Sequence, residues 1–186
     1  MRRIVLTTLL VLSALTAGAQ RTSRGMSQVT LLGGSTLSHW GGELSYGQYL
    51  LQSYWMGAVA FHDRIERDAP SGETVHYPRL EGRGGLLYRL LSSYDRSVSL
   101  YVGGDAFIGV EMLDLFGTLS APTRRALERS GLHPYQFIYG AAPRVELELF
   151  LSPSVALIAG GRAPFTFGSP LPLIGWELSL GGRVNF

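Results

Sequence analysis

The stretch IGWELSLGGRVNF, Ile174 to Phe186, decides the fold. Ile174, Trp176, Leu178, Leu180, Gly182, Val184 and Phe186 fall on one face. Gly175, Glu177, Ser179, Gly181, Arg183 and Asn185 fall on the other. Apolar against mostly polar at a strict period of two is the signature of a β-strand with two different surroundings. Strands in soluble sheets run to about 5–6 residues, whereas a tilted membrane-crossing strand needs about 9–11. This alternation is longer than either, which points to the membrane.

The same rhythm recurs upstream. Val145, Leu147, Leu149 and Leu151 oppose Arg144, Glu146, Glu148 and Phe150, and Val155, Leu157, Ala159 and Gly161 lead to Arg162. Val98, Leu100, Val102, Gly104, Ala106, Ile108 and Val110 oppose Ser99, Tyr101, Gly103, Asp105, Phe107, Gly109 and Glu111. Leu80, Gly82, Gly84, Leu86, Tyr88 and Leu90 oppose Glu81, Arg83, Gly85, Leu87 and Arg89. Trp55, Gly57, Val59 and Phe61 alternate with Tyr54, Met56, Ala58, Ala60 and His62. Leu44, Tyr46, Gln48 and Leu50 oppose Glu43, Ser45, Gly47 and Tyr49, and a first strand lies near 26–34.

That makes eight strands. Short turns near 51–53, 92–97 and 152–154 alternate with longer connections near 34–41, 64–76, 113–134 and 168–173. Outer-membrane barrels have this habit, with the short turns in the periplasm. In hydrocarbon every backbone N–H and C=O needs an internal partner, so a spanning sheet must close. The expected fold is therefore all-β, an eight-stranded antiparallel outer-membrane β-barrel with both termini periplasmic. Trp55, Tyr88, Trp176 and Phe186 are candidates for its aromatic girdles. Pro122 to Arg129 reads as a short helix in the longest loop. Its arginines form a solvated face first and a contact for anionic lipopolysaccharide second.

The polar faces assign the lumen. Glu43, Glu81, Arg83, Arg89, Asp105, Glu111, Arg144, Glu146, Glu148, Arg162, Glu177 and Arg183 all point inward on this pattern. An eight-stranded barrel is only wide enough for side chains to fill, and unpaired buried charge is expensive. These residues are expected to pair into a plug of arginine–carboxylate bridges rather than to line a conducting pore.

Composition agrees. The 186 residues are 46% hydrophobic and 16% charged, with 24 glycines and no cysteine, against about 25% charged in an average soluble domain. Without cysteine there is no disulfide framework and no thiol chemistry. All 16 basic residues are arginine. With Arg2 and Arg3 set aside, the remaining arginines equal the 14 acids, so no basic stripe exists to neutralise phosphates and no direct nucleic-acid binding is expected.

Arg2 and Arg3 belong to a leader. They precede an uncharged apolar run, Ile4 to Leu15, and then the small residues Ala17-Gly18-Ala19. This is the three-part plan of a secretory signal. Cleavage after Ala19 makes Gln20 the new terminus, so residues 1–19 are a signal peptide and 20–186 the barrel domain. The outward residues Trp176, Leu178, Leu180, Gly182, Val184 and Phe186 resemble the C-terminal signal read by the barrel-assembly machinery.

Catalytic material is sparse. Four histidines, His39, His62, His76 and His133, are spread over loops and loop edges. A small outer-membrane lipid hydrolase would need a serine or acid with a histidine at the rim. His62 with Asp63, and His76 with Ser71, are the nearest sets, and no spacing ties them together. Metal, phosphate and dinucleotide motifs are absent. The expectation is a non-enzymatic protein with no cofactor and no catalytic or metal site.

The C-terminal third carries one more signal. Phe137-Ile138-Tyr139-Gly140, Arg144, Leu147-Glu148, Leu151-Ser152, Gly161-Arg162, Phe167-Gly168 and the ending Gly182-Arg183-Val184-Asn185-Phe186 resemble the TraO family of Bacteroidetes conjugative transposons. The Ala19-Gln20-Arg21 junction is similar to leaders of that group. The chain departs at Pro143, where the family pattern leads one to expect glycine. Proline interrupts a ladder, so the sixth strand is expected to begin after it. The resemblance implies an envelope component of the mating apparatus, with outer-membrane lipid and other conjugal transfer proteins as partners. It implies no catalytic residue. The rival reading is a general small barrel for adhesion or envelope integrity.

Overall fold

The computed structural model describes residues 24–36, 39–67, 74–94, 97–113, 120–122, 125, 134–169 and 173–186. The expected leader, including Ala17, Ala19 and Gln20, lies outside them, as does most of the expected helix at 122–129. Nine registered segments run β1 (Ser27–Thr36), β2 (His39–Tyr49), β3 (Ser53–Arg67), β4 (Thr74–Ser92), β5 (Val98–Met112), β6 (Tyr135–Phe150), β7 (Val155–Arg162), β8 (Phe165–Phe167) and β9 (Glu177–Asn185).

Every pairing is antiparallel, and the sheet closes on itself through β5–β6 and β1–β9. β7 and β8 both pair with β6 in one unchanged register, Arg144 opposite Arg162 and Tyr139 opposite Phe167. They are one strand with a break at Ala163-Pro164. The architecture is thus a closed eight-stranded antiparallel barrel, the fold the alternation foretold. Closure leaves no long edge to aggregate.

The alternation sorts side chains as lipid and lumen would require. Val29, Leu31, Leu44, Val59, Leu80, Ile108, Leu147, Leu157, Leu180 and Val184 are exposed outward, while Gln28, Thr30, Glu43, Glu81, Asp105, Glu146, Arg162 and Arg183 are buried inside. A soluble protein shows the reverse. Aromatic rings gather at both ends of the apolar band. Tyr46 and Trp55 meet edge to face at 5.8 Å near the short turns. Trp40 and Phe61 do so at 5.9 Å toward the loops, where Phe137, Tyr139 and Phe167 also stack at 6.1 and 5.6 Å. Of the candidate girdle residues, Trp55, Tyr88 and Phe186 lie at the turn end and Trp176 toward the loops, all exposed.

Several strand boundaries correct the sequence reading. The longer connection expected near 34–41 is only the two residues between Thr36 and His39, and β3 and β4 run to Arg67 and from Thr74, into the one expected near 64–76. The sixth strand does not begin after Pro143; it starts at Tyr135 and runs through the proline. Pro143 accepts a bond from the Ala163 N–H at 3.1 Å. A residue's N–H and C=O point to the same neighbour, so the missing N–H of Pro143 faces the β7–β8 break, and the β5 ladder continues past it at Gly104. The last strand also starts later, at Glu177. Its alternation continues to Ile174, which retains only an isolated bridge to Phe165.

Candidate functional site: the charged lumen

Strands β2, β4, β5, β6, β7 and β9 each project one or more ionised side chains into the lumen, because the pleat sends every second residue inward. Arg144 grips Glu43 with both terminal nitrogens, at 2.7 and 3.1 Å, and donates its Nε to Glu146 at 2.9 Å. Arg83 donates to the same Glu43 at 2.6 Å and to Glu81 at 2.7 Å. Arg162 grips Asp105 through Nε and Nη2, at 3.0 and 2.7 Å, and reaches Glu177 at 3.1 Å. Arg183 donates to Glu146 at 2.7 Å, to Glu148 at 3.0 Å and to the Thr30 hydroxyl at 2.9 Å. These four arginines tie seven strands across the barrel axis.

Arginine suits this work. Its planar fork offers five donors, stays ionised, and binds carboxylates with two parallel bonds. Each guanidinium here serves two or more acids, so the desolvation of each charge is offset from several sides. Aromatic faces complete the packing. The Phe107 ring lies 5.1 Å from Arg79 and 4.8 Å from Arg162, and the Tyr54 ring lies 4.8 Å from Arg183. Such contacts add cation–π attraction where water is excluded.

Below the charged layer the turn end is closed by Tyr49, Tyr54, Met56, Ala58, Leu87 and Tyr101, all buried. The Tyr49 hydroxyl donates to Glu148 at 2.7 Å, and the Tyr54 hydroxyl donates to Glu146. The lumen is filled by side chains at both levels. A cavity of about 30 Å³ lies among Glu43, His62, Arg83, Arg144, Arg162 and Glu177, room for about two waters.

The structure brings together Glu43, Glu81, Arg83, Asp105, Arg144, Glu146, Glu148, Arg162, Glu177 and Arg183. Arg89 and Glu111 lie at the two ends of this layer. Arg89 sits at the turn end and donates to the Leu51 carbonyl at 3.3 Å. Glu111 sits toward the loops and accepts from the Ser169 hydroxyl at 2.6 Å. Sequence reasoning missed Arg79, which pairs with Glu81 and donates to Thr166 at 3.2 Å. Arg79 is two residues before Glu81, so extending that alternation by one step would have found it. It also missed the two tyrosine hydroxyls as partners of the carboxylates.

The histidines divide. His62 turns into the lumen, where its Nε2 meets Arg83 at 2.7 Å. Asp63, its neighbour, lies on the opposite face of the strand and meets the His76 Nδ1 at 2.8 Å. Alternation separates His62 from Asp63, and Ser71 lies outside the described residues. Among those residues no group of three or more His, Asp or Glu side chains is placed to hold a metal ion. Chemically the lumen acts as a set of ionic cross-links.

Comparison with known proteins agrees with the architecture. A family model described as conjugative transposon protein TraO matches residues 21–186. No curated protein matches the chain. Among solved structures, Neisserial surface protein A superposes with a TM-score of 0.57 at 18% identity, covering 88% of this chain and 98% of that one. The N-terminal β-barrel domain of Pseudomonas aeruginosa OprF gives 0.55 at 15% identity, covering 88% and 98%. The attachment invasion locus protein Ail of Yersinia pestis, solved with the heparin analogue sucrose octasulfate, gives 0.52 at 15% identity, covering 88% and 100%. At these identities the likeness is one of fold.

Proposed function

The chain belongs to the conjugative transposon protein TraO family, and from that premise we propose that it is a non-enzymatic outer-membrane component of a transposon's DNA-transfer apparatus. Its work is that of a sealed anchor on which other transfer proteins dock. The observation that carries this reading is the filled lumen. Arg83, Arg144, Arg162 and Arg183 cross-link the strands at the axis, and a barrel plugged in this way leaves the rim and turns for partners.

The placement in the envelope follows from the faces and the ends. Every described outward residue from Val29 to Phe61 and from Leu80 to Val110 is uncharged, so lipid is the solvent that fits this surface. β1 and the C-terminus lie side by side, Ser27 and Phe186 exchanging two backbone bonds at 2.9 and 3.0 Å. Both therefore share the end with the short turns, which is the periplasmic end in such barrels. Export by a leader cleaved after Ala19, with the outward face from Trp176 to Phe186 read by the barrel-assembly machinery, completes the route.

The test is deletion of the gene from a transposon-bearing donor. Transfer frequency is expected to fall and to return when the wild-type chain is supplied in trans. A null donor that transfers at the parental frequency would remove the transfer role. The purified barrel in planar bilayers is expected to give no discrete conductance steps, and stable openings would replace the anchor by a pore.

A further inference from the structure

The barrel wall is not equally closed all round. Two prolines flank one level of it. The missing N–H of Pro143 faces β7–β8, so the Pro143–Ala163 pair keeps one bond, Ala163 N–H to Pro143 C=O at 3.1 Å. Pro164 has its carbonyl bonded by the Gly175 N–H at 3.0 Å, so its own missing N–H faces β9. The segment Ala163-Pro164 is thus held by one backbone bond on each flank, where an intact antiparallel pair exchanges two. No residue is inserted; the register is the same on both sides of the break.

This seam is hollow outside. A cavity of about 380 Å³ opens there, walled by Val102, Pro143, Val145, Ala163, Trp176 and Leu178. Its floor is Gly161, and the lumen cavity on the inner side of the wall shares Arg144, Gly161, Arg162, Glu177 and Leu178 with it. Along β6 the seam lies midway between the outward Leu149 and the outward Phe137. A broader hollow over Gly57, Gly82 and Gly84 has an unbroken ladder behind it, so small residues alone do not make the seam.

We propose that this seam is a lateral lipid site, which seats one acyl chain of a phospholipid against Trp176 and Gly161. The inference rests on the membrane placement given above but not on the transfer role. At this depth hydrocarbon is the medium, and the cavity is continuous with the lipid-facing surface. The arginines behind it are already gripped by Asp105, Glu43 and Glu177, so they hold the wall rather than a headgroup. The outward ring above it, Phe137, Tyr139 and Phe167, is aromatic. The described lining thus offers apolar surface and no unpaired cation, so an acyl chain rather than a phosphate-bearing headgroup is what it takes. A hollow with room for one chain suits a two-chained phospholipid better than the multiply acylated lipopolysaccharide.

The experiment places the barrel in phosphatidylethanolamine–phosphatidylglycerol vesicles doped with a phosphatidylcholine carrying a photoactivatable group on its acyl chain. Labelled peptides are then mapped. Label is expected to concentrate on 143–145, 161–163 and Trp176, above the level on the equally outward Leu147 and Leu157. Gly161→Leu fills the hollow, since a Cβ there meets only Leu178 at 3.7 Å, and should abolish the excess. Pro143→Ala, which restores the missing donor, should reduce it. Excess lipopolysaccharide should leave the pattern unchanged, and displacement by it would overturn the assignment to phospholipid. Even labelling of all outward residues, indifferent to Gly161→Leu, would overturn the site. No labelling anywhere on the barrel would overturn the membrane placement and the site with it.

Discussion

The β3–β4 wall and the β6–β7–β8 wall face the same surroundings and solve closure differently. β3 and β4 pair without interruption from Ser53–Tyr88 to Arg67–Thr74. β6 meets β7 over seven residue pairs and β8 over three, with the proline break between. From Trp55 to Phe61 and Leu80 to Leu90 on the first wall, and along the second, the outward residues are uncharged. What differs is where the strength lies. The first wall keeps its full backbone ladder beside the bridges that Arg83 makes to Glu43 and Glu81. The second is pinned from inside, since Arg144 and Arg162, directly opposite one another across β6 and β7, are bracketed by Glu43, Asp105, Glu146 and Glu177. Like charges placed opposite would otherwise repel. Side-chain bridges can therefore stand in for missing ladder bonds in a barrel that must stay closed.

The sharpest way to break this contrast is to remove a pin. Arg144→Ala or Arg162→Ala leaves buried carboxylates without their partner and should cost about 3–5 kcal/mol, read as a lower urea midpoint in lipid or detergent. Amide exchange should rise first at 161–165 rather than in β3–β4. Equal stability in both variants would mean that the ladder alone holds the seam.

The outer face comes next. Leu147→Arg puts a charge near mid-depth of the second wall and should cost about 2–4 kcal/mol in a bilayer. The same variant should fold well if the outer face meets water, so the difference between media is the diagnostic reading.

Pro143→Ala sharpens the comparison from the other side. It offers Ala163 the absent donor and should add about 1 kcal/mol, with slower exchange at the new amide. A loss of stability would show that the proline is needed for the local shape. The smallest effect is expected at Arg89, away from the pinned layer. Arg89→Ala should change the unfolding free energy by about 0.5 kcal/mol or less, while a cost like that of Arg144 would draw it into the network.

Much of this was legible in the residues. A period of two reports which face each side chain occupies, so the barrel, its inner charges and its apolar exterior could be read from Glu43, Glu81, Glu146, Leu147 and Arg183. The period does not report hydrogen bonds. Ile174 to Trp176 keep the alternation although the last registered strand begins at Glu177, because Pro164 lacks the N–H that would complete the ladder there while Gly175 still bonds its carbonyl. Pro143 misled in the opposite way. Proline removes one donor on one side only, and which side depends on the neighbour its carbonyl faces, a fact that needs the register. The specific partners in the lumen were equally hidden. Nothing in spacing tells that Arg144 crosses to Glu43, 101 residues away, since that choice is made by the shear of the closed sheet.

The most direct test of the central claim, a sealed barrel with lipid outside and ionised side chains within, is fractionation of expressing cells followed by gel mobility with and without boiling. The account predicts an outer-membrane protein whose unboiled form runs as a compact band and shifts to full length on heating. A soluble periplasmic protein whose mobility is indifferent to boiling would contradict it.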